Sequence, residues 1–348
     1  MNDDLLNIGD RSFARGESGV VDLTVGRLVS HDELEMRVHV FRGKSPGPRL
    51  FVCAGVHGDE LNGIEIARRL MRQKMTGLQG DLLIVPVVNP AAFIYRSRYL
   101  PDRRDLNRLF PGNSDGSFGA RVARTLIDEV VKKCTHGIDL HTAAMGRINL
   151  PQTRMVAGDA DSAMMARAFG APVAMESRVR EGSLRATCAK LGVPYLLFEA
   201  GEASRLELPA VAFGRRGVRR VMAALGMIKA RKSDLELPVT RCQSSYWARA
   251  QVGGLFRAKV PLGAAVRPGQ QLGKIGDPMS NEETIVTCNR EGVVIGRTAS
   301  SLVDEGDALF HLGQTEAATN QAALDIARSA EMVLPENERP AFRDSHNG

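Results

Sequence analysis

The chain has 348 residues, enough for one large domain and a smaller companion. Hydrophobic residues make up 43% and charged residues 25%, an ordinary balance for a soluble globular enzyme. No apolar run is long enough to span a membrane, and a net charge of +6 is too modest to indicate nucleic acid as a partner. The opening Met1-Asn2-Asp3-Asp4 lacks the basic-then-apolar pattern of a signal peptide, so a cytoplasmic location is expected. Five cysteines (Cys53, Cys134, Cys188, Cys242, Cys288) are scattered without a C-x-x-C pair, which fits reduced thiols rather than a zinc knuckle or a redox dithiol.

In chain order, residues 1–17 read as a loose lead-in. Val20 to Leu28 and Glu33 to Val40 alternate or are β-branched and read as paired strands. Arg49 to Gly55 is a short buried strand. Leu61, Ile64, Ala67, Arg68 and Met71 have helical spacing, with Arg68 the polar exception. Asp81 to Val88 is a further buried strand, with Pro86 marking an end or an edge. A helix over 118–133 and short strands at Gly137 to Leu140 and Met155 to Ala157 follow. Helices near 161–169 and 183–191 then lead to a strand from Tyr195 to Glu199. The densest basic stretch, Arg215-Arg216-Gly217-Val218-Arg219-Arg220 continuing to Arg231-Lys232, reads as an amphipathic helix. Its apolar stripe is Val218, Val221, Met222 and Leu225, and its arginines form a solvated face. It has no neighbouring aromatics for base stacking.

This alternation predicts an α/β catalytic domain over 1–240, with a mixed sheet flanked by helices. Residues 241–313 change texture to Gly- and Val-rich alternating runs. They read as a small β-barrel domain that resembles the lipoyl or biotinyl hairpin barrel, with Val266-Arg267-Pro268-Gly269-Gln270 as a turn. Lys259 and Lys274 sit in no carrier motif. Residues 314–348 read as a short helix near 319–332 and a mobile tail.

Chemistry concentrates in two motifs, His57-Gly58-Asp59-Glu60 and Asp139-Leu140-His141-Thr142. Two imidazoles and one carboxylate with an open fourth position are a recurring set for one hydrolytic zinc ion. His57 and Glu60, three apart, share a face on a helical turn. These motifs and Glu199 all fall at the carboxyl ends of predicted strands, where α/β sheets bind ligands. A carboxylate ending the apolar run Leu196-Leu197-Phe198 needs a partner or a task, and partial burial would tune it for proton transfer. Between the motifs lie Asn89-Pro90, Arg98, Asp105-Leu106-Asn107-Arg108 and Phe110-Pro111-Gly112. Asparagine and arginine together can grip a carboxylate, and Arg98 can steady an oxyanion, although each arginine alone fits a surface ion pair equally well. Asp59, between the ligands, reads either as support for a ligand or as a first-turn helix acid, the second preferred. His31, His39, His311 and His346 read as structural, and His136 precedes the strand that a ligand should follow.

In this order the motifs, closed by Glu199-Ala200-Gly201, resemble the succinylglutamate desuccinylase/aspartoacylase family of the zinc carboxypeptidase-like superfamily, over about residues 20–313. The resemblance implies a carboxypeptidase-like fold with His57, Glu60 and His141 as ligands of one Zn2+ per chain. It implies Glu199 as general base and acid on the zinc-bound water, Arg98 as carbonyl polariser, and Asn107 and Arg108 as a carboxylate clamp. Asp139 would orient a ligand. Arg185 would be a further substrate-binding arginine, although its spacing to Glu199 is longer than in aspartoacylase. Tyr246, the C-terminal tyrosine, sits in no motif and is left out of the site. The expected activity is hydrolysis of a linear amide in a small anionic N-acyl amino acid of desuccinylase, aspartoacylase or deacetylase type. A carboxypeptidase-like amidase acting on a peptide or an amino-acid-modified tail is the alternative. A zinc-stabilised module that binds a partner would need a fourth protein ligand. Residues 145–182, with Arg147, Arg154, Arg178 and Arg180, are expected to set specificity. Neither nucleic acid nor membrane is expected as a partner, and a homo-oligomer is left open.

Overall fold

The computed structural model describes residues 5–231 and 237–315. Its centre is a twelve-stranded mixed sheet. The strand Ser45–Ala54 runs parallel to Gln79–Val85 on one side and to His136–Ala143 on the other. Beyond them come Tyr195–Glu202, parallel to His136–Ala143, then Arg147–Val156, antiparallel to it, and then Val173–Ser177. Glu33–Arg42 and Ser18–Arg27 complete the other flank as an antiparallel pair.

Period-two alternation divides the core into two layers. Phe51 and Cys53 join one apolar cluster, while Leu50, Val52 and Ala54 join the other. Both faces of these strands are covered, which is why they read as continuous apolar runs. The helices Phe118–Glu129 and Leu184–Leu191 pack on the first face through Val122, Leu126, Leu184 and Cys188. The helices Leu61–Met71, Ala160–Phe169 and Leu208–Ala224 pack on the second through Ile66, Leu70, Phe169 and Val218.

Several local expectations need correction. Residues 5–14 form a hairpin, Leu5–Ile8 with Arg11–Ala14, that buries Leu6, Ile8 and Phe13. Four-residue strands are too short to produce a periodic signal. In the helix Leu61–Met71 the buried stripe is Asn62, Gly63, Ile66, Ala67 and Leu70. Arg68 is exposed and pairs with Glu65 at 2.5 Å. The basic stretch is not wholly solvated either. Arg220 is buried and donates to the Phe169 carbonyl, satisfying the C-terminal end of a neighbouring helix. Pro86 lies one residue past the strand Gln79–Val85, where its missing N–H costs no ladder bond.

The strand Thr240–Arg249 pairs in parallel with Val173–Ser177 and antiparallel with Ala308–Thr315, so the central sheet runs on into the C-terminal strands. There Gly254–Ala258, Gln271–Gly276, Glu283–Thr287 and Leu302–Val303 form a second, four-stranded sheet. The two sheets close on a shared core of Phe256, Ile275, Val294, Phe310 and Leu312, giving a barrel-like module. Of the expected tail over 314–348, Gln314 and Thr315 instead end the strand Ala308–Thr315, while the rest, with the expected helix near 319–332 and His346, lies outside the described residues.

Candidate active site

Three segments meet at the carboxyl ends of the parallel strands. His57 follows the strand Ser45–Ala54, and Glu60 caps the helix Leu61–Met71 with non-helical backbone. The reach of His57 and Glu60 to one point therefore comes from a turn before the helix, closed by Glu60 N–H on the His57 carbonyl at 3.3 Å. Gly58 is required here. A Cβ at this position would lie 2.0 Å from the Ala92 carbonyl carbon, because the short helix Pro90–Ile94 packs directly on the turn. His141 lies within His136–Ala143, near its end.

All three side chains are buried, and one ligand atom from each lies within 4.8 Å of the others. Glu60 Oε1 is 2.7 Å from His57 Nδ1, and Glu60 Oε2 is 2.7 Å from His141 Nδ1. The remote nitrogens are also held. His57 Nε2 lies 3.1 Å from Asp105 Oδ1, and His141 Nε2 lies 2.8 Å from Asp139 Oδ2. Carboxylates on the far nitrogens orient both rings with Nδ1 facing inward, the usual outer arrangement around a metal-bound histidine. Arg98 donates to Asp105 Oδ2 at 3.0 Å and to Glu60 Oε1 at 3.3 Å.

The imidazoles and carboxylates of the cluster hold one another electrostatically. Burial disfavours an ionised Glu60, yet His57 and His141 outweigh it and hold this carboxyl well below the usual range. Burial likewise opposes a charged His141, but Asp139 and Glu60 raise its pKa well above the ordinary value. Desolvation opposes ionised Asp105 too, and hydrogen bonding with His57 reverses the balance. By donor set and geometry, two inward-facing imidazole nitrogens and the Glu60 carboxylate, with a further carboxylate behind each ring, fit a divalent metal such as zinc.

The cluster opens into a cavity of about 280 Å³ that Arg98, Asn107, Arg108, Arg185 and Glu199 also line. Glu199 stands opposite His141 in the parallel strand pairing. Its Oε2 accepts from Asn149 Nδ2 at 2.7 Å and from Arg154 Nη2 at 3.1 Å. Asn107 Oδ1 accepts the Leu184 N–H at 2.9 Å, leaving its amide as the donor group. Among the described residues, the buried Nε and Nη1 groups of Arg185 have no hydrogen-bond partner, which suits an incoming anion. Of the arginines expected to set specificity, Arg147, Arg154 and Arg180 line the cavity, whereas Arg178 does not and meets Arg185 only through its backbone carbonyl, at 3.3 Å.

One reading, that of Asp59, needs correction, and His311 proves to stand at the cavity wall. His311 lines the cavity, stacked on Trp247 with ring centroids 4.4 Å apart. The two are register partners on adjacent strands, a relation that sequence distance conceals. Burial first, then Arg154 and Arg147, push the His311 imidazole down to about 3. Asp59 is not in a first helical turn, since the helix begins at Leu61. It is buried with Oδ1 unpartnered, and desolvation raises its pKa. His136 bonds Thr135 at the far end of its strand, away from the cluster. Tyr246 bonds the Arg290 carbonyl instead of entering the cavity. Sequence reading assigned no role to Asp105, Asn149 or Trp247. Asp105 alone had a signal, since it stands in the same four-residue motif as Asn107 and Arg108.

Fold and site together define a mixed α/β protein with a buried His–Glu–His cluster able to hold a metal ion in an arginine-rich cavity. Residues 46–225, more than half of the chain, match the succinylglutamate desuccinylase/aspartoacylase catalytic domain. The chain belongs to this family of acyl-amino-acid deacylases. It is 26% identical over 283 residues to the N-alpha-acetyl-L-2,4-diaminobutyric acid deacetylase of Halomonas elongata, covering 76% of this chain and 82% of that one. It is 31% identical over 133 residues to the succinylglutamate desuccinylase of Pseudomonas syringae pv. tomato, covering 34% and 38%. The structure of a succinylglutamate desuccinylase/aspartoacylase from Rhodobacter sphaeroides superposes with a TM-score of 0.77 at 25% identity, covering 86% of this chain and 95% of that one.

Proposed function

We propose that the chain is a zinc-dependent hydrolase that removes an acyl group from a small anionic N-acyl amino acid by cleaving a linear amide. The observation that carries this reading is the convergence of His57, Glu60 and His141 with Glu199, Arg98, Asn107 and Arg108 on one cavity. A volume of about 280 Å³ is of the order of a small-molecule site. The mixed sheet with its site at strand ends also supports a carboxypeptidase-like reading of the fold.

His57, Glu60 and His141 would hold the zinc, which when bound supplies Lewis-acid polarisation of the scissile carbonyl and the attacking water. Glu199 takes a proton from that water and passes it to the departing amine nitrogen. Asn149 and Arg154 fix one of its oxygens, so the carboxylate is already oriented before substrate arrives. Arg98 steadies the carbonyl oxygen as charge develops on it. Asn107 and Arg108 grip a substrate carboxylate, and the unpartnered N–H groups of Arg185 offer a second anchor. Five free cysteines suit work in the reducing cytoplasm.

The test is amine release from a panel of N-acetyl, N-succinyl and other N-acyl amino acids, with short peptides alongside, before and after chelation. Chelator-sensitive release from an N-acyl amino acid is expected. Release from peptides alone, or release indifferent to chelation, contradicts the reading.

A further inference from the structure

Tyr195 opens the strand Tyr195–Glu202 and is fully buried. Strand pairing sets Tyr195, Leu197 and Glu199 opposite Gly137, Asp139 and His141. Alternate residues share a face of the sheet, so the phenol and the Glu199 carboxylate belong to the same side. The Tyr195 hydroxyl donates to Asp139 Oδ2 at 2.6 Å. That same oxygen faces His141 Nε2 at 2.8 Å, and His141 Nδ1 faces Glu60 Oε2 at 2.7 Å. A continuous hydrogen-bonded line therefore runs from the phenol to the proposed metal position.

Asp139 has no exposed surface, so bulk water cannot replace a lost donor. Among the described residues, its other oxygen has only the Cys53 thiol at 3.4 Å, a weak donor. Burial, reinforced by the Asp139 charge, keeps the phenol protonated and hence a donor. The phenol is therefore the strong donor, apart from His141 itself, that holds the Asp139 carboxylate in one rotamer.

We propose that Tyr195 is a positioning residue for the metal centre, acting through Asp139 to hold His141 with Nδ1 turned to the cation. This inference rests on the zinc reading above. A hydroxyl that served core packing alone would affect folding without affecting the metal.

The experiment measures Zn2+ affinity of the chelator-stripped full chain by competition with a chromophoric chelator, for wild type, Tyr195→Phe, Asp139→Asn and the double variant. Thermal unfolding of each metal-free protein is recorded in parallel. Phenylalanine keeps the ring and removes the hydroxyl, and asparagine keeps the shape but removes the charge and replaces one acceptor oxygen by an NH2 donor. Tyr195→Phe is expected to bind zinc about tenfold more weakly, the effect of losing an outer hydrogen-bond partner. In the Asp139→Asn background the same change should cost little more. Unchanged or tighter zinc binding in Tyr195→Phe overturns the proposal, whatever happens to the unfolding temperature. An equal tenfold loss with and without Asp139 overturns the route through that carboxylate. Wild-type protein that takes up no zinc overturns the metal reading itself, which separates the two failures.

Discussion

Glu199 and His141 face each other across two hydrogen-bonded parallel strands. The proposed proton carrier and a proposed metal ligand are thus fixed by backbone pairing rather than by loops, and loop motion alone cannot separate them. This rigidity gives the first prediction. Glu199→Gln keeps the Oε2 contacts in outline but loses the base. Its kcat should fall by about 10²- to 10⁴-fold while metal content stays at the wild-type level. Metal analysis and amine release on one preparation check both halves.

Arg108 supplies the forked half of the proposed clamp. Arg108→Ala should raise KM by about 10- to 100-fold, the effect of a lost charge-assisted hydrogen bond, with a smaller change in kcat. Arg108→Lys should recover little, since an ammonium cannot reproduce the planar fork. Steady-state kinetics on the best substrate of the panel would check this, and full rescue by lysine would remove the clamp.

Gly58 carries a steric prediction. A Cβ 2.0 Å from backbone carbon cannot be accommodated by rotating a side chain, so Gly58→Ala must displace the turn or the helix Pro90–Ile94. Destabilisation of about 3 kcal/mol and weakened metal binding are expected. Denaturant unfolding with chelator titration measures both.

His311 makes stability depend on pH. Its folded pKa is lowered to about 3, whereas an unfolded histidine titrates near its model value of 6.5. Between those values the unfolded chain binds the extra proton, so stability falls as pH drops through this window. The contribution to the slope is at most about 1.4 kcal/mol per pH unit. Denaturant unfolding from pH 7 to 4.5 should show a shallower acid decline for His311→Gln than for wild type. Parallel declines would place the imidazole outside the buried environment described.

The sheet and the metal motifs were legible because they have local signatures. His57 and Glu60 are three apart, and His141 directly follows the short strand read at Gly137 to Leu140. Their Gly, Asp and Glu neighbours announce a site before any fold is known. The wall formed by Trp247 and His311 was not legible, since only strand register joins residues so far apart in sequence. The same limit hid the Tyr195 contact with Asp139 and the Asn149 and Arg154 contacts with Glu199. The Leu5–Ile8 hairpin escaped for a different reason, its strands being too short to show a period. Arg220 carried no mark in sequence of its buried contact with the Phe169 carbonyl.

The central claim is that one zinc ion, held by His57, Glu60 and His141, makes this chain an amide hydrolase. The most direct measurement adds Zn2+ stepwise to chelator-stripped protein while amine release is followed. The account predicts activity rising in proportion to metal and breaking at one equivalent per chain, with no recovery in His141→Ala at stoichiometric zinc. Full activity in the stripped protein, or an undiminished response in His141→Ala, would contradict it.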